Sequence, residues 1–239
     1  MFPIRDINPT RTTPFVNYLL VVGNVTAFFF MKSLPPWYEP AYGLVPTRIV
    51  ADPAGEAMTV FTSMFMHANL LHLGGNMWFL WIFGDNIEDS LGHVRYLLFY
   101  AIGGIVAALA QVFVNVASPI PMVGASGAIA AVTGGYMILF PRAPILILNP
   151  VPLLWFAMGI TLLVPAWLIA GEFFFMNLFT GIQSLQAAPE ARVGGVAFFA
   201  HLGGFVAGIL LVKPMRAGRE QPRHSRWDGW RAPPRARIR

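Results

Sequence analysis

The chain has no cysteine and very little charge. Across 239 residues only 11% are charged, against about 25% in an ordinary soluble domain. Without cysteine there are no disulfides, no thiolate nucleophile and no cysteine metal site, so a metal would have to be held by histidines and carboxylates. An HExxH run is missing as well, and so are the internal repeats expected of a small-solute channel or transporter. The scarcity of charge beside 56% hydrophobic residues leaves too few polar side chains to cover a soluble exterior. The chain is read as a membrane protein, with its charges gathered in loops and ends.

The charges that are present set the topology. Nine of the sixteen Lys and Arg lie from Lys213 onward, in a tail that ends "RWDGWRAPPRARIR" and reads as disordered. The first fifteen residues, "MFPIRDINPTRTTPF", are polar and contain proline, unlike a signal peptide, so nothing is expected to be removed. Apolar stretches at Phe15–Met31, Leu70–Phe83, Tyr96–Val116, Ala125–Phe140, within Ala143–Phe179, and at Val196–Val212 read as six spans. The fifth is either Val151–Ala170 or, preferably, Leu162–Ile182, with "APILILNPVPLLWF" lying along the cytoplasmic interface. Basic residues favour the cytoplasmic side, so both ends fall inside, and two inside ends require an even number of spans. The expectation is an all-α polytopic bundle with a short central fourth helix. Residues 1–14 form a cytoplasmic segment, 15–212 the membrane domain and 213–239 the basic tail, in a plasma membrane of bacterial type. The tail explains the pI near 10; with no folded basic domain to present it, nucleic-acid binding is not expected.

With even parity the second, fourth and sixth spans run the same way, so their amino-terminal ends share one face. The second begins with "HANLLHLGGN", the fourth with "GASG" and the sixth with "FFAHLGG". His67, His72, Asn76, Ser126 and His201 thereby meet at one depth near the outer leaflet. Polar groups inside a bilayer are costly and are functional candidates by default. Nucleophilic catalysis needs a hydroxyl beside a base and donors for an oxyanion. Ser126 supplies the hydroxyl and His201 is the base at its depth. His72 and Asn76, four apart on one helix face, supply donors, and the Ser126 N–H at a helix start supplies another. Gly124 and Gly127 give the loop room, while Gly204 and Gly208 have the GxxxG spacing of close helix packing. Nearly all of the eleven acids fall in loops or tails, so a Ser-His dyad is expected rather than a triad.

Taken together, "GASG" around Ser126, "HLGGN" with His72 and Asn76, "AHLGGFVAG" with His201, Gly204 and Gly208, and "FGDNIEDSLGH" resemble the rhomboid intramembrane serine proteases from about Thr59 to Val212. The resemblance implies a six-span rhomboid-like bundle with Ser126 as nucleophile and His201 as general base. His72, Asn76 and the Ser126 N–H would form the oxyanion hole. It implies substrates that are transmembrane segments with small residues at the cut, and it calls for no cofactor and no metal. Two places depart from the family pattern. Met58-Thr59 stands where many members have Trp-Arg, and Ala130 where many have a tyrosine stacked on the histidine, a role that here falls to Phe198 or Phe199. The loop from Ser33 to Met66, with Trp37 and Tyr38, is expected to dip into the outer leaflet, and the fifth span to act as the lateral gate.

Several residues carry blander readings. His67 is read as structural at the membrane interface, with a zinc site from His67, His72 and His201 the disfavoured alternative. His93 and His224 are read as solvated loop histidines, and Trp78 and Trp81 as lipid or packing aromatics. Glu172 is either interfacial or a mid-span group that tunes the gate. The competing class is a catalytically inactive rhomboid-like protein that binds membrane clients, whose mark would be loss of the serine or the histidine.

Overall fold

The computed structural model describes residues 1–35, 41–186 and 197–219. Among them are six helices of fourteen residues or more: α1 (Phe15–Lys32), α2 (Leu70–Leu91), α3 (His93–Val114), α4 (Ser126–Leu139), α5 (Ala166–Gln186) and α6 (Phe198–Arg216). The helices α1, α3, α5 and α6 are long and apolar enough to cross a membrane. Helix α2 is as long but carries Asp85, Glu88 and Asp89 in its last two turns. Helix α4 has 14 residues, about 21 Å against a hydrocarbon core of about 30 Å.

Small residues decide how the helices pack. Every residue of α4 from Gly127 to Tyr136 is buried, with α6 and α3 on its flanks and α2 and α5 beside it. A Cβ on Gly204 would run into the Gly127 carbonyl, one on Gly208 into the Ala131 carbonyl, and one on Gly134 into the Phe205 carbonyl. Backbones α4 and α6 therefore touch directly, which only glycine at these positions allows. On the other flank the Ala107 and Ala131 methyls fill the space that Cβ atoms on Gly127 and Gly103 would need. Below this small-residue layer Tyr96, Tyr100, Tyr136, Phe83 and Phe99 fill the core.

The acids that end α2 cap the start of α1. Glu88, fully buried, accepts the N–H groups of Val16 at 2.9 Å and Asn17 at 2.7 Å, and Asp89 accepts Thr12 N–H at 3.0 Å and its hydroxyl at 2.7 Å. Carboxylates there satisfy orphan donors and face the positive end of the helix dipole. Gly92, at φ 77°, makes the corner from α2 into α3.

The fold is mostly helical but not all-α. A three-stranded antiparallel sheet in the order β1 (Phe2–Asp6), β2 (Pro144–Leu148), β3 (Thr161–Pro165) joins the amino-terminal segment to the connection between α4 and α5. Its register pairs Phe2 with Leu148 and Ile145 with Val164. The interfacial run foreseen at "APILILNPVPLLWF" is thus a strand followed by a short helical turn. "PILIL" is a short β-branched apolar run between prolines, which hydropathy cannot tell from a buried helix piece. Pro165 ends β3 and α5 starts at Ala166, so the fifth apolar helix lies close to the preferred Leu162–Ile182 and away from Val151–Ala170. Glu172 lies seven residues into it. The sheet puts the start of α1, the end of α4 and the start of α5 at one end of the bundle. Trp78 packs on it, stacking on Phe2 at 5.6 Å and donating to the Pro3 carbonyl at 2.6 Å, and Trp81 stacks on Tyr18 at 5.5 Å. Trp37, Tyr38 and the tail from Glu220, His224 included, lie outside the described residues.

Asp6 closes the sheet onto the bundle, accepting from Tyr136 at 2.9 Å and Asn86 at 2.8 Å. Burial, and then the neighbouring Asp85 carboxylate, push its pKa up from 3.8 to about 7. A raised folded-state pKa means that the folded chain holds this proton more tightly than the unfolded chain. The stabilisation is complete below about pH 4 and is lost as pH rises to about 7. Melting of the detergent-solubilised chain is therefore expected to fall across that window, by less than the limit of about 1.4 kcal/mol per pH unit for one proton. Asp6→Asn should flatten the slope, and an unchanged slope in that variant would remove Asp6 as its source.

Candidate active site

Ser126 is the first residue of α4, held by the chain that leads into it. Leu44 and Met122 exchange backbone hydrogen bonds of 3.1 and 2.7 Å, and the Gly124 N–H donates to the Ser63 carbonyl at 2.9 Å. Gly124 adopts φ 128°, and a Cβ there would stand 2.8 Å from Cε1 and Nε2 of His72. Both the backbone angle and the histidine therefore demand glycine. As the first helical residue, Ser126 has an N–H with no acceptor inside its own helix.

His201 sits in the first turn of α6, its N–H on the Ala197 carbonyl at 3.1 Å. Its Nε2 lies 2.7 Å from Ser126 Oγ. The glycine contacts of Gly204 and Gly208 bring α6 to this distance, so the packing residues and the reacting pair are one construction. On the other side of the ring, Nδ1 lies 2.5 Å from Asn177 Oδ1, and the Phe173 ring packs on the imidazole with centroids 5.7 Å apart. Both come from α5.

His72 is placed by the cap of α2, where the Asn69 side chain accepts the His72 N–H at 2.9 Å. Asn76, one turn on, is 8% exposed and its Nδ2 has no hydrogen-bond partner among the described residues. A cavity of about 640 Å³ is lined by Ser126, His201, His72, Asn76, Gly124 and Phe173, with other small and apolar residues. A buried, unpaired donor facing such a space is expensive unless something occupies it. Donors, hydroxyl and imidazole converge on one volume, as acyl transfer requires. His67 is buried against His72, ring centroids 5.2 Å apart. Among the described residues no group of three or more His, Asp or Glu is arranged to hold a metal ion.

The sequence profile of the Rhomboid domain matches residues 54–217. The chain belongs to the rhomboid family. It is 32% identical over 199 residues to Rhomboid protein 1, mitochondrial, of Saccharomyces cerevisiae, covering 81% of this chain and 51% of the yeast protein. It is 27% identical over 200 residues to the bovine Presenilin-associated rhomboid-like protein, mitochondrial, covering 80% and 47%. It is 30% identical over 128 residues to Rhomboid protease GluP of Bacillus subtilis, covering 52% and 24%. This rhomboid spans about half the length of the first two, and about a quarter of the third. It is an integral, multi-pass membrane protein.

In this rhomboid Ser126, His201, His72, Asn76, Gly124 and Gly127 are brought to one cavity, and Gly204 and Gly208 support it from behind. Two expectations are corrected, those for the neighbours of His201 and for His93. His201 is flanked by Phe173 and Asn177, whereas Phe198 and Phe199 lie beside Gly181. Ala130 is fully buried and packs with Ala170 of α5 and Phe205 of α6. His93 is exposed as expected, but it opens α3 instead of lying in a loop and pairs with buried Glu88 through Nδ1 at 2.5 Å. The residue missed from sequence was Asn177. Its signal was present: a lone amide in the apolar run "FFFMN", on the helical face of Ala170, Phe173 and Phe174.

Proposed function

We propose that this chain is an intramembrane serine endopeptidase that cuts peptide bonds in or beside the transmembrane segments of other membrane proteins. The observation that carries the reading is the 2.7 Å contact between Ser126 Oγ and His201 Nε2 at the wall of a cavity among apolar helices. His201 Nε2 takes the proton of Ser126 as Oγ attacks the scissile carbonyl carbon. The oxyanion is held by the Ser126 N–H, His72 and Asn76, each a donor aimed at the same space. As the tetrahedral species collapses, the C–N bond breaks and the leaving amine takes the proton from His201. Water, deprotonated by His201, then attacks the acyl-enzyme and frees Ser126.

In this reading all six helices span the bilayer, α4 being the short central one whose start lies below the surface, where water reaches it. The membrane domain takes up residues 15–212, between a cytoplasmic amino-terminal segment and the basic tail. The positive-inside rule puts both ends on the cytoplasmic side of a bacterial-type plasma membrane; the names of the yeast and bovine relatives assign those two proteins to mitochondria. Helix α5 is the gate through which a substrate helix enters, and the family resemblance points to substrate helices that unwind easily and carry small residues at the cut. No cofactor takes part.

The test is covalent. Membranes holding the chain are treated with a fluorophosphonate probe, and the labelled peptide is mapped by mass spectrometry. An adduct on Ser126 is the expected result. A chain left unlabelled, beside a control serine protease that labels, would support the inactive client-binding class instead. Inhibition by a chelator would revive a zinc mechanism.

A further inference from the structure

We propose that Asn177 is the positioning residue for His201, and that α5 thereby completes the reacting pair. The inference rests on the serine-protease reading of the site and assigns a role to a residue outside the Ser-His dyad. An amide side chain has one acceptor and one donor end, and here each has a distinct neighbour. Asn177 Nδ2 donates to the Phe173 carbonyl at 2.7 Å, a group that only accepts. That bond turns Oδ1 toward the imidazole, where it meets Nδ1 at 2.5 Å. An oxygen at Nδ1 keeps the ring proton on that nitrogen, leaving the lone pair of Nε2 pointed at the Ser126 hydroxyl. This is the tautomer a general base must have.

No other described group makes a hydrogen bond to Nδ1. Asn177 is 8% exposed, so solvent does not readily replace it. Phe173, one turn earlier on the same helix face, packs on the ring and limits its rotation. Both restraints on His201 therefore come from α5. That helix is also the least buried of the four long apolar ones, with 17% of its apolar stretch buried against 22–33% in the other three. Its inner face is seated through Ala170, Phe173 and Phe174 on Ala130 and Phe205. The pair of Ser126 and His201 is thus set for proton transfer only while α5 is seated, and a displaced α5 takes the tautomer restraint with it.

The test measures fluorophosphonate labelling rates of the full chain in liposomes, a reaction that needs no transmembrane substrate. Asn177→Ala is expected to label about 100-fold more slowly, within the range of general-base contributions. Asn177→Asp, which keeps an oxygen for Nδ1–H, should recover to within about tenfold of the parent. Asn177→Leu, similar in size but without an acceptor, should stay as slow as alanine. Phe174→Ala, which loosens the seat of α5 on Phe205, should slow labelling in the parent and slow Asn177→Ala by a smaller factor, because only the Phe173 restraint is then left to lose. A merely structural Asn177 would give the reverse: leucine would rescue, aspartate would not, and the two losses would add. Labelling of Asn177→Ala at the parent rate also overturns the inference, while leaving the protease reading intact. If the parent itself acquires no adduct on Ser126, both fall together.

Discussion

Gly208→Val is expected to cost about 3 kcal/mol of stability, at the upper end for overpacking a closed interior, and to slow labelling of Ser126 by about 100-fold or more. The obstacle to a side chain is backbone. A Cβ at Gly208 would stand well inside the contact distance of the Ala131 carbonyl oxygen, and the Ala131 carbonyl carbon and Cα lie within 2.8 Å of the same point. A flexible side chain could swing away, but helix α4 cannot. Restoring an ordinary separation of 3.4 Å or more requires α6 to withdraw by an ångström or so, and His201 rides on α6 two turns from Gly208. The 2.7 Å contact with Ser126 then opens beyond hydrogen-bond reach, and misplacement on that scale costs about 100-fold. Gly171→Ala is the control, because a Cβ there meets nothing within 4 Å. Gly171→Ala should melt at or above the parent, alanine adding helix propensity worth up to about 1 kcal/mol, and should label at the parental rate. A Gly208→Val chain with parental melting and labelling would refute direct backbone contact between α4 and α6.

Ser126→Ala should lower cleavage of a transmembrane reporter by about 10⁴-fold or more, as removal of a catalytic serine does elsewhere, with little change in melting temperature. The contrast with Gly208 is the point of the experiment. Alanine suits the first turn of α4, the neighbouring backbone is unaltered, and the loss is one hydrogen bond from a half-buried hydroxyl, worth about 1 kcal/mol. Activity and stability are therefore expected to separate completely at Ser126 and to fall together at Gly208. A Ser126→Ala chain that cleaves within about tenfold of the parent would sink the covalent mechanism.

What could be read from sequence depended on the range of the interaction. Apolar runs fix helices locally, so α1, α3 and α6 lie within a few residues of where hydropathy puts them. The meeting of Ser126 with His201 followed from charge at the ends and the parity of the spans. Helix α2 runs eight residues past Phe83 because Glu88 and Asp89 are satisfied by the start of α1, a long-range cap that a hydropathy window counts only as charge. The sheet was missed because each strand has five residues and is defined by partners far away in the chain. Ala130 showed that something other than tyrosine must orient His201, but not what. The answer depends on how close α5 lies, and that is set by Ala170 and Phe205 together.

The antiparallel sheet has a consequence for how the protein is made. Strand β1 precedes all six helices in the chain, yet its neighbour in the register, running from Phe2 opposite Leu148, is synthesised only after four of them. At roughly 5–20 residues per second, β1 waits about 7 to 30 seconds with its backbone groups unpaired. During that interval α1 to α4 can assemble while the first strand remains free. Strand β1 is thus made before all six helices and finds its place only after four of them.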